Sequence, residues 1–578
     1  MNIKTQIEKE LQAVFKALGF DERFATINTS QVGDADYQCN ACFQIAKMIG
    51  KAPYDVAVEI ADVFKHDSKI VDAEPSKPGF VNFFIIEREL ERIANFVLKK
   101  NQLPLAPQDK QTIFFDYGGA NIAKELHAGH LRSPVIGEAL KRTHMAFGHK
   151  AISCTYLGDW GLQIGLVIAE CEFGGIIRDG KFKREITLDL LNEIYPNASK
   201  RKDVDPTFKK RAEDITVKTQ NLEQPYYGMW QELWRVSVNK IRENYLALGC
   251  TFDFYNGESH AEPYVDIIMK MLEPLSYIDK DCVMINVAEK GEHIPLPRKV
   301  GEPQRYENPF PPVILKKGNG GDLYSTSDVA TIYYRYNNHK PDRFIYVTDF
   351  RQELHFRQVF RIAKKGNIVP ENIQFTHVGY GAMTGSDGKP FKTRAGGTIK
   401  LDDIINLVTD ASKKRLEESG RDTNQDTARK IGIAALKFAD LSNNVRRDFM
   451  FDIDKFTSFE GRTGPYILYT IARINSIFEK AKVKPKTIKF DTTDLHVVAI
   501  VKKIIRLTDA YTATTQTLSL NSLTDATYEL AGAFNNFYSN NQIIGSSKEK
   551  TYLALCLLVK QSLEIALNTL AIEVVESM

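Results

Sequence analysis

The segment Thr112–Gly148, TIFFDYGGANIAKELHAGHLRSPVIGEALKRTHMAFG, reads as a strand, a loop of small residues and a helix in immediate succession. That succession directs a chain toward parallel strands joined by helices. His127-Ala128-Gly129-His130 occupies the loop-to-helix junction, where unpaired N–H groups and the positive end of the helix dipole favour an anion. Two imidazoles three residues apart add donors that strengthen as charge develops on a reacting phosphate. Gly129 leaves the backbone open to close approach by a nucleotide. The combination reads as a site that splits ATP at its α-phosphate. An isolated H-x-x-H on a helix is as readily incidental, or a metal pair; here the flanking residues carry the choice.

A chain of 578 residues is too long for one core, and about three or four domains are expected. Apolar residues at 43% and charged residues at 26% make an ordinary soluble composition. A net charge of only +3 excludes global basicity, so any RNA surface must come from local clusters. The seven cysteines, at 39, 42, 154, 171, 250, 282 and 556, are scattered, as reduced thiols of a cytoplasmic protein are. Cys39 and Cys42 form the only C-x-x-C, with no second pair at zinc-finger distance; two half-buried helix thiols are expected rather than zinc, and no metal site. The N-terminal stretch is an amphipathic helix with Ile3, Ile7, Leu11, Phe15 and Leu18 on one face. Its glutamates and lack of an apolar run exclude a signal or transit peptide. No stretch is apolar for a bilayer-spanning length. A soluble cytoplasmic protein is expected, without a membrane or DNA partner.

Along the chain, residues 1–105 read as a small α/β domain: the first helix, helical patterns near 37–49 and 53–65, and a strand at 80–86. Pro104 and Pro107 punctuate its end. Residues 106–400 read as a parallel α/β catalytic domain with a mostly helical, polar insertion at about 171–315. The insertion holds a basic run, Lys200-Arg201-Lys202 with Lys209-Lys210-Arg211, that is either a solvated face or a contact to RNA phosphate. Residues 401–578 are helical by periodicity, with helices near 426–445, 462–481, 495–516, 525–540 and 549–570. The fold class is α/β and multidomain, ending in an all-α bundle.

Asn121-Ile122-Ala123-Lys124 before the histidines and Leu131-Arg132-Ser133 after them closely resemble the HIGH signature of class I aminoacyl-tRNA synthetases. The form is that of arginyl-tRNA synthetases, S-P-N-x-A-K-x-x-H-x-G-H-L-R-S, with Gly119 and Ala120 in place of Ser-Pro. Gly158-Asp159-Trp160-Gly161-Leu162-Gln163-Ile164-Gly165 matches that family's G-D-W-G-x-Q-x-G. The Gly-rich loop 379–397 carries Lys389, Lys392 and Arg394 within six residues, mobile positive charge of the kind a departing pyrophosphate needs. Its Phe-Lys-Thr-Arg resembles the arginyl variant that lacks the second lysine of KMSKS. The resemblance gives part of that lysine's role to Lys124, which a helical turn would keep on the histidines' face.

The resemblance implies a Rossmann-type catalytic domain and the two-step charging of tRNA(Arg) with L-arginine. ATP and its Mg2+ enter as substrate, no cofactor is tightly bound, and activation requires tRNA. His127, His130, Lys124, Lys389 and Lys392 are the implied catalytic residues; Gly129 and Arg394 join His127, His130, Lys389 and Lys392 around ATP. For arginine, a planar guanidinium calls for a carboxylate that accepts in bidentate geometry. Tyr324 and Asp328, at i and i+4 in a sequence close to the family's D-x-x-Y-x-x-x-D, fit that need, though by spacing alone Asp328 is also a helix cap. Asn121 and Gln352 correspond to contacts at the amino and carboxyl ends, and Asp116 to an acidic residue at the end of the first strand. Asp36-Tyr37-Gln38 with Asn40 resembles the N-terminal domain that touches the tRNA corner, which makes Tyr37 and Asn40 candidate contacts. In the C-terminal bundle Tyr466, Tyr469 and Tyr538 are candidates for stacking on anticodon bases or for packing between helices; the chain ends in Met578, as those enzymes commonly do. A monomer is expected. The rivals are another class I synthetase or smaller nucleotidyltransferase, and an inactive RNA-binding paralogue.

Overall fold

The computed structural model describes residues 2–578 except 31–32, 107, 290–291, 293, 296–305, 308–309, 319–323, 386–387, 389–390, 392–398, 421–423, 483–487 and 489–493. By compactness these form two units, one of residues 110–407 with 443–452, the other of residues 1–109, 408–442 and 453–578.

The first unit is built on five parallel strands: β1 (Thr112–Tyr117), β2 (Lys150–Gly158), β3 (Phe254–Gly257), β4 (Arg343–Asp349) and β5 (Gln374–Tyr380), ordered β3-β2-β1-β4-β5. The two-residue strand Ala120–Asn121 adds to β2 off this path. β1 is buried along almost its whole length, as a central parallel strand covered on both faces must be. Strand order reverses between β1 and β4, the position at which open parallel sheets leave a crevice for ligands. Helix α1 (Arg132–Ala146) returns from β1 to β2, and α2 (Leu162–Phe173) follows β2. Gly137 lets α1 lie against β1: a Cβ there would stand 2.3 Å from the Tyr117 ring.

The stretch 171–315 is less purely helical than its pattern. It contributes α3 (Leu188–Val204), the helix Pro206–Gln220 and α4 (Tyr226–Ala247), but also a three-stranded sheet of Ser276–Asp279, Cys282–Ile285 and Val313–Lys316. β3, inside the same stretch, is a full member of the parallel sheet. Helices α5 (Tyr324–His339) and α6 (Glu353–Lys365) flank β4.

In the second unit, Asn28–Thr29, Tyr37–Cys39, Phe80–Ile85 and Val71–Ser76 form an antiparallel sheet in that order, with helices Ile3–Ala17, Cys42–Ile49, Pro53–Asp67 and Glu87–Lys100. The stretch 37–49 is thus a strand followed by a helix. Cys39 sits on the strand, both Cys39 and Cys42 are fully buried, and all seven cysteines are free. The first helix buries Val14 rather than Leu18 with Ile3, Ile7, Leu11 and Phe15. The helices Gln425–Leu441, Gly464–Ala481, Leu495–Thr517, Asn521–Asn540 and Glu549–Thr569 lie where periodicity puts them, and Leu401–Glu418 precedes them. No helix among the described residues is long and apolar enough to cross a membrane.

Candidate active site

A cleft of about 1020 Å³ opens at the carboxyl ends of the central strands, between the loop after β1 and the loop after β4. The residues after the histidines hold its floor. Ser133 Oγ accepts from the Gly118 N–H at 2.7 Å and donates to the Val347 carbonyl at 2.7 Å, tying α1 to both β1 and β4. Arg132, 1% exposed, donates from one Nη to the carbonyls of Gly381 and Arg447 at 2.7 and 2.9 Å.

Ala128–His130 forms a single tight turn capped by His127 in extended conformation. The His127 N–H donates to Nδ1 of His130, and the Gly129 N–H to Nδ1 of His127, each at 3.1 Å. An Nδ1 that accepts carries no proton, so both rings hold their proton on Nε2. Burial, with the charge of Lys124, lowers both pKa values, that of His130 to about 3. The pair, with ring centres 4.1 Å apart, is therefore neutral at physiological pH and offers two Nε2–H donors. The exit of the basic loop pairs with this turn: the Ala128 N–H donates to the Ile399 carbonyl and the Leu401 N–H to that of Leu126. Lys389, Lys392 and Arg394 lie outside the described residues; Phe391 between them lines the cleft and packs on Phe451.

Lys124 does not stand on a helical turn. Ala123 is left-handed at φ 59°, and Lys124 follows on a bend with its ammonium 4.1 Å from the centre of the Tyr195 ring. Its nearness to the histidines comes from that bend.

On the opposite side of the cleft, Asp328 on α5 pairs with His355 Nε2 at 2.5 Å, and Tyr324 stands at the exposed start of the same helix. Asp328 is thus inside α5 and caps nothing. Asn121 and Gln352 line the same space. Asp116 also reaches the cleft, but its carboxylate is already engaged by Arg335 at 2.5 Å. Sequence reasoning missed Glu258, the first residue of the helix Glu258–Leu272 that follows β3 directly. Burial, then the Asp159 and Asp328 carboxyls, pushes it up to about 7. Its only signal is its place just past the carboxyl end of a sheet strand, hidden inside a segment that reads as insertion.

Other candidates are placed less favourably. Tyr37 is 0% exposed, with its hydroxyl donating to Asp509 Oδ2 at 2.6 Å and Arg506 stacked on its ring, so it is spent inside its unit; Asn40, next to it, is exposed. Arg473 lies between the rings of Tyr469 and Tyr538, 4.7 Å from each, while Tyr466 meets Tyr528. Tyr538 is 39% exposed, and Met578 is half-buried. In the basic run, Arg201 and Arg211 are paired with Glu170 and Glu172, leaving Lys200, Lys209 and Lys210 exposed. Among the described residues no cluster of His, Cys, Asp and Glu is placed to hold a metal ion.

Burial depresses His144 and His377 as well, each to about 4. Unfolded histidine protonates near about 6.5, so between about pH 6.5 and 4 the unfolded chain binds more protons, and stability falls as pH falls. The melting midpoint should drop through that window, with a shallower slope in His144→Gln; equal slopes in the two proteins would sink this account.

The sequence matches the profile of the class I (R) tRNA synthetase catalytic domain over residues 92–453, the arginyl tRNA synthetase N-terminal domain over 1–85 and the DALR anticodon binding domain over 467–578. It is 37% identical to an arginine–tRNA ligase of Alkaliphilus oremlandii, covering 99% of each chain, and 33% identical to one of Francisella tularensis, covering 100% of each. Solved structures of similar fold include arginyl-tRNA synthetase from Plasmodium falciparum (TM-score 0.82, 23% identity, 100% and 98% of the two chains) and that of Thermus thermophilus (TM-score 0.79, 19% identity, 100% of both).

Proposed function

The chain belongs to the arginyl class I tRNA synthetases, ligases that couple ATP cleavage to the charging of tRNA with arginine, and we propose how its own residues carry that reaction. Arginine's carboxylate attacks the α-phosphate of ATP in line, giving arginyl-adenylate and pyrophosphate. The terminal ribose hydroxyl of tRNA(Arg) then attacks the activated carbonyl and AMP leaves. The observation that carries this reading is the neutral pair His127 and His130, two Nε2–H donors beside the crevice of a parallel sheet. They stabilise phosphate charge without exchanging a proton. Lys124, Lys389, Lys392 and Arg394 neutralise the departing pyrophosphate, Mg2+ travels with ATP, and Gly129 admits the nucleotide to the backbone.

Asp328, Tyr324 and Glu258 face the guanidinium. Glu258, pushed up by burial and then by the neighbouring Asp159 and Asp328 carboxyls, gains from a planar cation an opposite charge, and the fork geometry separates arginine from lysine. Asn121 and Gln352 take the amino and carboxyl ends, and Asp116 acts through Arg335. Hydrogen bonds to so distinctive a head group reject analogues without an editing site. Residues 106–400 form the catalytic domain, while 1–105 and 401–578 hold tRNA through Asn40, Tyr466, Tyr469, Tyr538 and Met578. The protein works as a monomer in the cytoplasm.

The test is ATP–pyrophosphate exchange with each of the twenty amino acids, with and without total tRNA. Exchange with arginine alone, and only with tRNA present, is expected. Exchange with another amino acid would sink the roles of Tyr324, Asp328 and Glu258.

A further inference from the structure

A lysine that serves a reacting phosphate carries its charge on a flexible four-carbon stem, and is most effective when held before substrate arrives. The turn that bears Lys124 is held by three helices. Ala123 adopts the left-handed region, which costs a residue with a Cβ and persists only where its surroundings enforce it. Its N–H donates to Ser237 Oγ of α4 at 2.9 Å, and the fully buried Ser237 donates in turn to the Leu233 carbonyl at 2.7 Å. From α2, Gln163 Nε2 donates to the Ile122 carbonyl. The third helix is α3, whose Tyr195 receives the Lys124 ammonium on its ring at 4.1 Å. The backbone leading into Lys124 is thus pinned, and the ring fixes what the backbone leaves free, the stem.

α3 approaches the same segment a second time. Lys400 pairs with Glu125 at 2.6 Å and bridges through its backbone to His127, and Asp189 in the first turn of α3 acts on the Lys400 ammonium. The Lys124 charge reaches both histidines, lowering the pKa of each. A helix of the insertion therefore lies along the lysine and histidine segment rather than apart from it.

We propose that Tyr195 is a positioning residue for adenylate formation, its aromatic face holding the Lys124 ammonium in one stem conformation beside His127 and His130. The inference rests on the reading of Lys124 as a cation for the phosphates. An ammonium over a ring face is attracted by the ring's quadrupole; a leucine of similar bulk packs but does not attract. Tyr195 also differs from a core aromatic in being only half-buried.

The experiment compares the full-length protein with Tyr195→Leu, Tyr195→Phe, Lys124→Ala, and phenylalanines carrying increasing numbers of fluorines at position 195, in arginine-dependent pyrophosphate exchange with tRNA present. Fluorination keeps the packing and weakens the negative ring face stepwise. The expected result is a kcat lower by about three- to thirtyfold in Tyr195→Leu, with the KM for arginine unchanged. Tyr195→Phe should restore turnover, and kcat should decline in step with fluorination. A kcat flat across the fluorinated series overturns the proposal, as does wild-type turnover in Tyr195→Leu when Lys124→Ala is inactive. An active Lys124→Ala overturns instead the reading of Lys124, and the proposal with it. Because the fluorinated set preserves side-chain volume, it decides the question even if Tyr195→Leu fails to fold.

Discussion

His130→Ala is expected to slow arginine-dependent pyrophosphate exchange by about 10²–10³-fold, the loss that follows removal of one preorganised donor from a site of developing charge. The ring has two jobs, and two amide replacements separate them. Nδ1 accepts the His127 N–H and shapes the turn, while Nε2–H is the donor proposed for phosphate. Glutamine can place a donor near the Nε2 position but nothing near Nδ1; asparagine does the reverse. If the rate lies in the Nε2 donor, His130→Gln retains more turnover than His130→Asn. If it lies in the shape of the turn, the order inverts. Because burial takes the pKa of His130 to about 3, the ring stays neutral through the working range, and kcat should show no limb near about pH 6.5 arising from it. An alanine variant within about fivefold of wild type would remove His130 from the catalytic set, since even the weaker measured donor deletions exceed that.

What was legible beforehand follows contiguity. The His127–His130 turn, its flanks and the helices of the bundle were readable because their residues are neighbours in sequence or recur at helical spacing. Contacts made across the chain were not. Tyr37 belongs to a local motif that looks like a surface feature, yet Asp509, far along the chain, buries its hydroxyl. Lys124 looked helical because nothing in its neighbours announces a left-handed alanine. Glu258 gains its chemistry from Asp159 and Asp328, and only sheet order β3-β2-β1-β4-β5 brings the end of β3 beside that crevice. Asp116 lies near the end of β1, but its partner Arg335 is one residue of α5 among many that are equally plausible from sequence.

That pairing should govern the second large effect. Arg335 is 1% exposed, its guanidinium 2.5 Å from Asp116 and within 6 Å of the rings of Phe114, Tyr156 and Tyr346. Removing one member of a buried ion pair strands the other charge, at about 3–5 kcal/mol. Arg335→Met should therefore lower the melting midpoint by roughly 5–8 °C, and Asp116→Asn should do similarly. Replacing both leaves no stranded charge, so Asp116→Asn with Arg335→Met should melt above either single variant, a coupling readable as a double-mutant cycle. The KM for arginine in the double variant then decides what Asp116 does. If the buried pair serves only to keep the floor of the cleft folded, restoring the fold brings KM back toward wild type. If its carboxylate meets the substrate, the double variant stays stable and binds arginine poorly, because neutralising the charge elsewhere does not return the acceptor. Independent, additive losses in the two single variants would mean that the pair, despite its geometry, contributes no coupling to stability.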